Sequence, residues 1–341
     1  MAKTRLKVDE ASKESQMKEG LFTTGNAKDF ESVQEIRHNL RAKGELREVP
    51  EKRNEIIKKD WPYWSKRFID RNEVYQEGKE CLTGEVKLPR FDAKAIMIAN
   101  IADLHAGGDC DYKRIELEAT YIYNTDNSYV FGKGDWIDGF FWSQPMMVDA
   151  IEQVPAQANY MRELIKYYAE KRKILVSWLG DHDGDWQERV GMSPYIDMTE
   201  KTGMELRRGP QWVTIPVGDQ VYLYKGAHKL LGSSIYNPCH AGVRHSREGS
   251  QEADIIDWGH AHRKGHMDRA VKSKGGSHIQ HLSCSGPYKY SDSWTLKNGF
   301  ERQDKQQMFG NAYILWGDKK RIEYFDDIVE ATERVKEINS V

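Results

Sequence analysis

The stretch Lys94-Ala95-Ile96-Met97-Ile98-Ala99-Asn100-Ile101-Ala102 is a near-continuous apolar run of strand length. Such a run predicts a strand buried on both faces. A helix-like stretch, Arg114 to Tyr123, comes next, then Ser128-Tyr129-Val130-Phe131-Gly132 as a second strand. A longer helical stretch from Met147 to Glu170 leads into a third strand, Ile174 to Leu179. Strand alternating with helix predicts an α/β sheet. After Trp212 the chain turns β-rich: Trp212–Val217 and Gln220–Tyr224 flank Gly218-Asp219 as a hairpin. Further strands are expected at Asp254–Asp257, His278–Leu282, Ala312–Trp316 and Arg321–Phe325, and a closing helix at Ile328–Ile338.

Upstream of this pattern the chain reads differently. Residues 1–28 are charged with few large apolar positions, a flexible segment. Residues 29–90 form a small, charged, helical N-terminal module. In it Phe30, Val33, Ile36 and Leu40 fall near helical spacing, and Gly44 sits where a C-cap would. A second apolar and basic stretch, Ile56 to Phe68, is interrupted by Pro62. The module is either a DNA-binding helix pair or a packing appendage, and the absence of a legible recognition helix favours packing. Residues 91–341 make up the main domain.

Composition narrows the class only a little. The 341 residues are 39% hydrophobic and 30% charged, an ordinary globular balance, with a formal net charge of −2. No global charge excess announces a nucleic-acid binder. Cys81, Cys110, Cys239 and Cys284 lack metal or disulfide spacing and read as reduced thiols. Neither a signal-peptide core nor an apolar run long enough to span a membrane is present, so a cytoplasmic location is expected.

The chemistry collects where the strands end. Asp103-Leu104-His105 follows the first strand, Gly134-Asp135-Trp136-Ile137-Asp138 the second, and Gly180-Asp181-His182-Asp183 the third. His228 lies just past the strand ending near Tyr224, and Gly259-His260-Ala261-His262 follows Asp254–Asp257. The carboxyl ends of the strands form the ligand crevice of an open α/β sheet, so these clusters should converge. Imidazoles and carboxylates are the ligands of divalent transition metals, and a pair of such ions clamps the attacking and leaving oxygens of a phosphoryl group. Each cluster alone is commonplace; five of them, in this order and each after a strand, are not.

The order DxH, GDxxD, G-x-H-D, His, GHxH over residues 93–325 resembles the signature of the calcineurin-like metallophosphoesterases. That resemblance implies a four-layered α/β/β/α sandwich with a dinuclear site between its sheets. It implies Asp103, His105 and His262 on one metal, Asp181, His228 and His260 on the other, and Asp135 bridging both. Mn²⁺ is the expected ion, with Fe, Zn²⁺ or Ni²⁺ as alternatives. His182 resembles the histidine that protonates the leaving oxygen after a metal-bridging hydroxide attacks phosphorus. Its orienting carboxylate is Asp138 or Asp183.

Two departures shape the expected activity. The family has Asn where this chain has Asp181, so an extra negative charge sits beside an anionic substrate unless Arg244 or Lys229 offsets it. Asp138 is followed by Gly139-Phe140-Phe141-Trp142 rather than by Arg, which argues against a Ser/Thr protein phosphatase. Trp136, Phe140, Phe141 and Trp142 are read as packing rather than as a base-stacking platform. Arg244 and His245 are candidate substrate contacts, with a solvated basic surface as the plainer alternative. The expectation is a phosphodiesterase or nuclease acting on a phosphoester, with nucleic acid as a possible partner. The alternatives are a phosphomonoesterase on a nucleotide or other small molecule, or a catalytically weak scaffold.

Overall fold

The structure is a computed structural model that describes residues 62–63, 65–66, 68–70, 83–139, 150–184, 196–232, 234, 236–291, 296–297 and 302–340. The chain divides into two units, residues 1–74 and 75–341. In the first, residues 62–63, 65–66 and 68–70 are helical. The expected segment 1–28, most of the module at 29–90, Cys81 and Phe140–Trp142 lie outside the described residues.

The strands of the second unit are β1 (Val86–Lys87), β2 (Ala95–Ile101), β3 (Asp109–Cys110), β4 (Ser128–Gly132), β5 (Ile174–Trp178), β6 (Glu205–Arg207) and β7 (Gln211–Val217). They continue as β8 (Gln220–Ala227), β9 (Ile255–Trp258), β10 (Gly265–Ser273), β11 (Gly276–Cys284), β12 (Lys289–Ser291), β13 (Asn311–Trp316) and β14 (Ile322–Phe325). The helices are α1 (Tyr112–Asn124), α2 (Val154–Glu170), α3 (Ile196–Thr202), α4 (His240–Arg247) and α5 (Ile328–Ser340).

Every residue of β2 is buried, and its two faces serve different cores. Ala95, Met97, Ala99 and Ile101 pack with Ile115 and Ile122 of α1, Met161 and Ile165 of α2, and Val335 of α5. Ile96 and Ile98 pack instead with Val213, Ile215, Tyr222 and Tyr224 of a second sheet. The side-chain alternation of a strand thus builds both cores from one apolar run. The first sheet has the order β14-β13-β2-β4-β5-β6, with β2, β4, β5 and β6 parallel. The second has the order β1-β7-β8-β9-β11-β10. Its outer face is covered by α4, where Ala241 joins Ile256, Trp258 and Leu282. Helices, sheet, sheet and helix make the expected four layers.

Local differences from the sequence reading have simple causes. The second sheet already takes in Val86–Lys87, ahead of residue 91, because β1 pairs in parallel with Val213 and Thr214. α2 starts at Val154 rather than near Met147: Gln153 is extended and Pro155 occupies the first turn, where its missing N–H costs nothing. β10 was not foreseen, since its mixed polar pattern GHMDRAVKS suits an edge strand with one wet face. No helix among the described residues is long and apolar enough to cross a membrane.

Candidate metal centre

The turns after β2 and β4 are stitched together before any side chain is considered. Asp103 N–H donates to Gly134 O, His105 N–H to Asp135 O and Ala106 N–H to Trp136 O, at 2.9–3.1 Å. The parallel pairing of the two strands therefore continues past their ends, as the bridge between Ala106 and Ile137 shows. Asp103, His105, Asp135, His260 and His262 all take positive φ, between 47° and 65°. For residues with a Cβ this conformation costs on the order of 1–3 kcal/mol each and marks functional turns. Glycines allow the turns to touch: a Cβ on Gly180 would lie 2.1 Å from Asp135 Oδ1.

Two groups of side chains result. In one, Asp103, His105 and His262 converge, with the two Nε2 atoms 3.0 Å apart and Asp103 Oδ1 3.9 Å from that of His262. In the other, Asp135, His228 and His260 converge: His228 Nε2 lies 3.2 Å from Asp135 Oδ2 and 3.2 Å from His260 Nδ1. Asp181 joins the second group, its Oδ2 3.6 Å from His260 Nδ1. The Asp135 carboxylate stands between them, Oδ2 being also 4.0 Å from His105 Nε2.

The proton positions follow from the partners. His105 Nδ1 faces Asp138 Oδ1 at 3.1 Å, and His228 Nδ1 faces the main-chain oxygen of Lys133 at 2.6 Å. Both partners only accept, so each Nδ1 carries the hydrogen and each Nε2 is the atom available to a metal. Burial, with the neighbouring rings and Lys289 adding to it, pushes His105 down to about 4 and His262 well below the usual range, leaving both rings neutral. His228 runs the other way. Burial opposes its charge, but Asp135 and Asp103 raise it to about 10. Burial likewise raises Asp103 to about 8, whereas the rings of His228, His182 and His105 outweigh burial and hold Asp135 well below the carboxylate range.

This donor set fits divalent cations. Asp103 Oδ1 is buried without a hydrogen-bond partner, an unsatisfied acceptor aimed among imidazoles. Neutral nitrogen lone pairs and carboxylate oxygens packed this closely repel unless a cation lies among them. A cation here would also displace the proton that His228 holds.

His182 sits beside the first group, its ring edge-on to His105 with centroids 4.6 Å apart. Its Nδ1 lies 2.5 Å from the main-chain oxygen of Asp138. The Asp138 carboxylate meets His105 Nδ1 and Lys289 Nζ, the latter at 2.7 Å, and lies within 4.8 Å of a His182 ring nitrogen. Asp183 accepts from the main-chain N–H groups of Gly180 and Trp136. Of the two expected orienting residues, Asp138 thus holds the His182 ring through its main-chain oxygen.

Lys229 Nζ lies 2.9 Å from Asp181 Oδ2 and is the base that faces the extra charge. Arg244 instead pairs along α4 with Glu248 at 2.8 Å. Among the described residues no contact joins Arg244 or His245 to the ligand groups. Trp136 is fully buried in the helix-side core, as a packing residue should be. Lys289 and Lys133 were missed by sequence reasoning. Neither lies in a motif that signals a role, though Lys133 directly precedes Gly134-Asp135. Beside Asp181 and His228 opens a cleft of about 160 Å³, also lined by Arg208, Gly209 and Lys229.

Two facing sheets with ligand turns at their carboxyl ends, in the order DxH, GDxxD, GDHD, His, GHxH, decide the architecture. It is the four-layered architecture that the resemblance to the calcineurin-like metallophosphoesterases implies. No family model and no curated protein matches the sequence. Among solved structures the chain is similar to a metallophosphoesterase from Sphaerobacter thermophilus (13% identity, TM-score 0.33, covering 71% of this chain and 95% of that one). It is similar to Vps29 in complex with zinc from Entamoeba histolytica (10%, 0.33, 67% and 97%). It is also similar to a Staphylococcus aureus protein provisionally named a 5′-nucleotidase (12%, 0.39, 71% and 58%), of which it spans little more than half the length.

Proposed function

We propose that this metallophosphoesterase-fold protein hydrolyses phosphoesters with two divalent metal ions, and that phosphodiesters, nucleic acid among them, are its substrates. The observation that carries the reading is the place of Asp135, 3.2 Å from His228 Nε2 on one side and 4.0 Å from His105 Nε2 on the other. One buried carboxylate within reach of two imidazole–carboxylate groups is the arrangement a bridged metal pair requires. Asp103, His105 and His262 would hold one ion, and Asp181, His228 and His260 the other, with Mn²⁺ the ion expected. When bound, the ions would supply an activated water and neutralise the phosphoryl oxygens.

The chain's own residues do the rest. Arg208 and Lys229 line the cleft and draw an anionic phosphoester toward the ligand groups. The Asp138 carbonyl fixes the His182 ring, and His182 is placed to give a proton to the departing oxygen. Asp138 and Lys133 keep His105 and His228 in the tautomers that present Nε2. No covalent intermediate on the protein is needed.

The test strips the protein of metal, restores Mn²⁺, and compares bis-p-nitrophenyl phosphate with p-nitrophenyl phosphate. Diester turnover abolished by Asp135→Asn, and lowered about 10²–10⁴-fold by His182→Asn on esters with poor leaving groups, is expected. Preference for the monoester would make the protein a phosphatase. Two bound metals with no turnover of either would make it a scaffold.

A further inference from the structure

Outside this centre, a second group of metal-ligating side chains lies on the β10–β11 hairpin. His266 and Asp268 are two apart on β10 and so share a face, and Asp268 is paired directly with His281 of β11. His266 Nε2 lies 3.0 Å and His281 Nδ1 2.6 Å from the same oxygen, Asp268 Oδ1. Both ring nitrogens are shut off from solvent and lack a hydrogen-bond partner of good geometry. Two buried ring nitrogens without a well-formed hydrogen bond, both within 3.0 Å of one carboxylate oxygen, are what a shared ion satisfies better than a simple ion pair does. Ligand atoms about 2.1 Å from one tetrahedral ion lie about 3.4 Å apart, so a small outward shift of Asp268 would seat an ion among the three. The His266 ring is also held in place, stacked on Tyr324 with centroids 3.7 Å apart and planes within 4°.

We propose that His266, Asp268 and His281 bind a single divalent transition-metal ion, a site separate from the proposed dinuclear centre. Two imidazoles and one carboxylate select Zn²⁺, Fe²⁺, Co²⁺ or Ni²⁺ over Mg²⁺ or Ca²⁺. Asp268 is half-exposed, so the ion has an entry path and room for water ligands. Through the Tyr324 stack, the ion ties the hairpin to β14 and stiffens the strand pair that begins just after His262.

The probe is Zn²⁺ itself. Full-length protein, stripped by chelation and dialysed against micromolar Zn²⁺, is assayed for ions bound per chain. Asp268→Ala alters an exposed carboxylate with no place in a core and should hold one ion fewer than the parent. His281→Gln should lose the same one ion. The difference is independent of how many ions the other centre takes. In an Asp135→Asn/His228→Asn background, Zn²⁺ should still raise the melting temperature, and adding Asp268→Ala should abolish the rise. Equal ion counts in the parent and in folded Asp268→Ala and His281→Gln proteins would reduce the cluster to an ion pair and overturn the proposal.

Discussion

Lys229 Nζ and Asp181 Oδ2 meet at 2.9 Å on the rim of the cleft, both side chains about half exposed. Partial burial works against the Asp181 charge, but Lys229 with the His260 and His228 rings outweighs it and keeps the carboxyl below its usual range. The charge that distinguishes this chain from the Asn-bearing family pattern is therefore present at neutral pH, and Lys229 is placed to offset it.

Lys229→Ala should accordingly slow turnover more in the parent than in an Asp181→Asn background. A half-exposed pair couples by about 0.2–1 kcal/mol, so the two factors should differ by up to about fivefold. Values of kcat/KM for the four proteins of this cycle decide it. An identical factor in both backgrounds would mean that Lys229 acts on the substrate alone.

Gly180→Ala should dislodge the carboxylate on which both ligand groups depend. The added Cβ would fall 2.1 Å from Asp135 Oδ1 and 2.3 Å from its main-chain nitrogen, so something must move. Overpacking of this kind costs about 1–3 kcal/mol, and the displaced Asp135 should lower the bound metal as well as activity. Gly184→Ala is the control, since its Cβ would meet only Leu179 Cβ at an ordinary 3.5 Å. Equal metal content in the two variants would show that Asp135 does not need its present position.

The extent to which the sequence foretold this site follows from how each part is encoded. Asp103, His105, Asp135 and the GHxH pair could be placed because apolar runs precede them, and strand ends gather without knowledge of pairing. The layers were legible for the same reason: Ala95–Ile101 has no polar face, so something must cover both. Contacts between distant, motif-free residues carry no such mark. Lys289 reaches Asp138 across 151 positions, and nothing near Lys289 signals it. The ring of His182 is held by a carbonyl, a group that every residue has. β10 hid its His266 and Asp268 in a pattern too polar to read as a strand.

The same Asp138 predicts a pH dependence. Burial alone would raise its pKa, but the His105 ring and the Lys289 ammonium together bring it down to about 2. A depressed carboxyl stabilises the folded state above its unfolded value near 3.9 and loses that contribution as pH falls toward 2. At about 1.4 kcal/mol per pH unit the contribution is about 2.6 kcal/mol. Urea midpoints of the metal-free proteins should show Asp138→Asn destabilised by that order above pH 4. The gap to wild type should close between pH 4 and pH 2. A gap that does not vary with pH would place the cost in packing instead.

Lys133 and Asp257 form a buried pair near the ligand groups, Nζ to Oδ1 3.6 Å, with both side chains fully enclosed between the sheets. The ammonium lies 3.9 Å from the Trp178 ring centroid and 4.4 Å from that of Tyr224, while Asp257 accepts from Ser283 and Asn311. Burial lowers Lys133 to about 7 and raises Asp257, so each end is charged chiefly because of the other. Lys133→Met keeps most of the apolar contact with the rings but leaves the carboxylate in the interior without its cation. Breaking one side of a buried pair costs about 3–5 kcal/mol, whereas replacing both sides is often close to neutral. Lys133→Met should therefore lower the urea midpoint strongly at an unchanged m-value, and Lys133→Met/Asp257→Asn should recover most of the loss. Because the Lys133 carbonyl holds His228 Nδ1 at 2.6 Å, metal content should fall in the single variant and return in the double. If the single variant unfolds within about 0.5 kcal/mol of wild type, as surface substitutions do, the pair contributes nothing to holding the two sheets in register near the site.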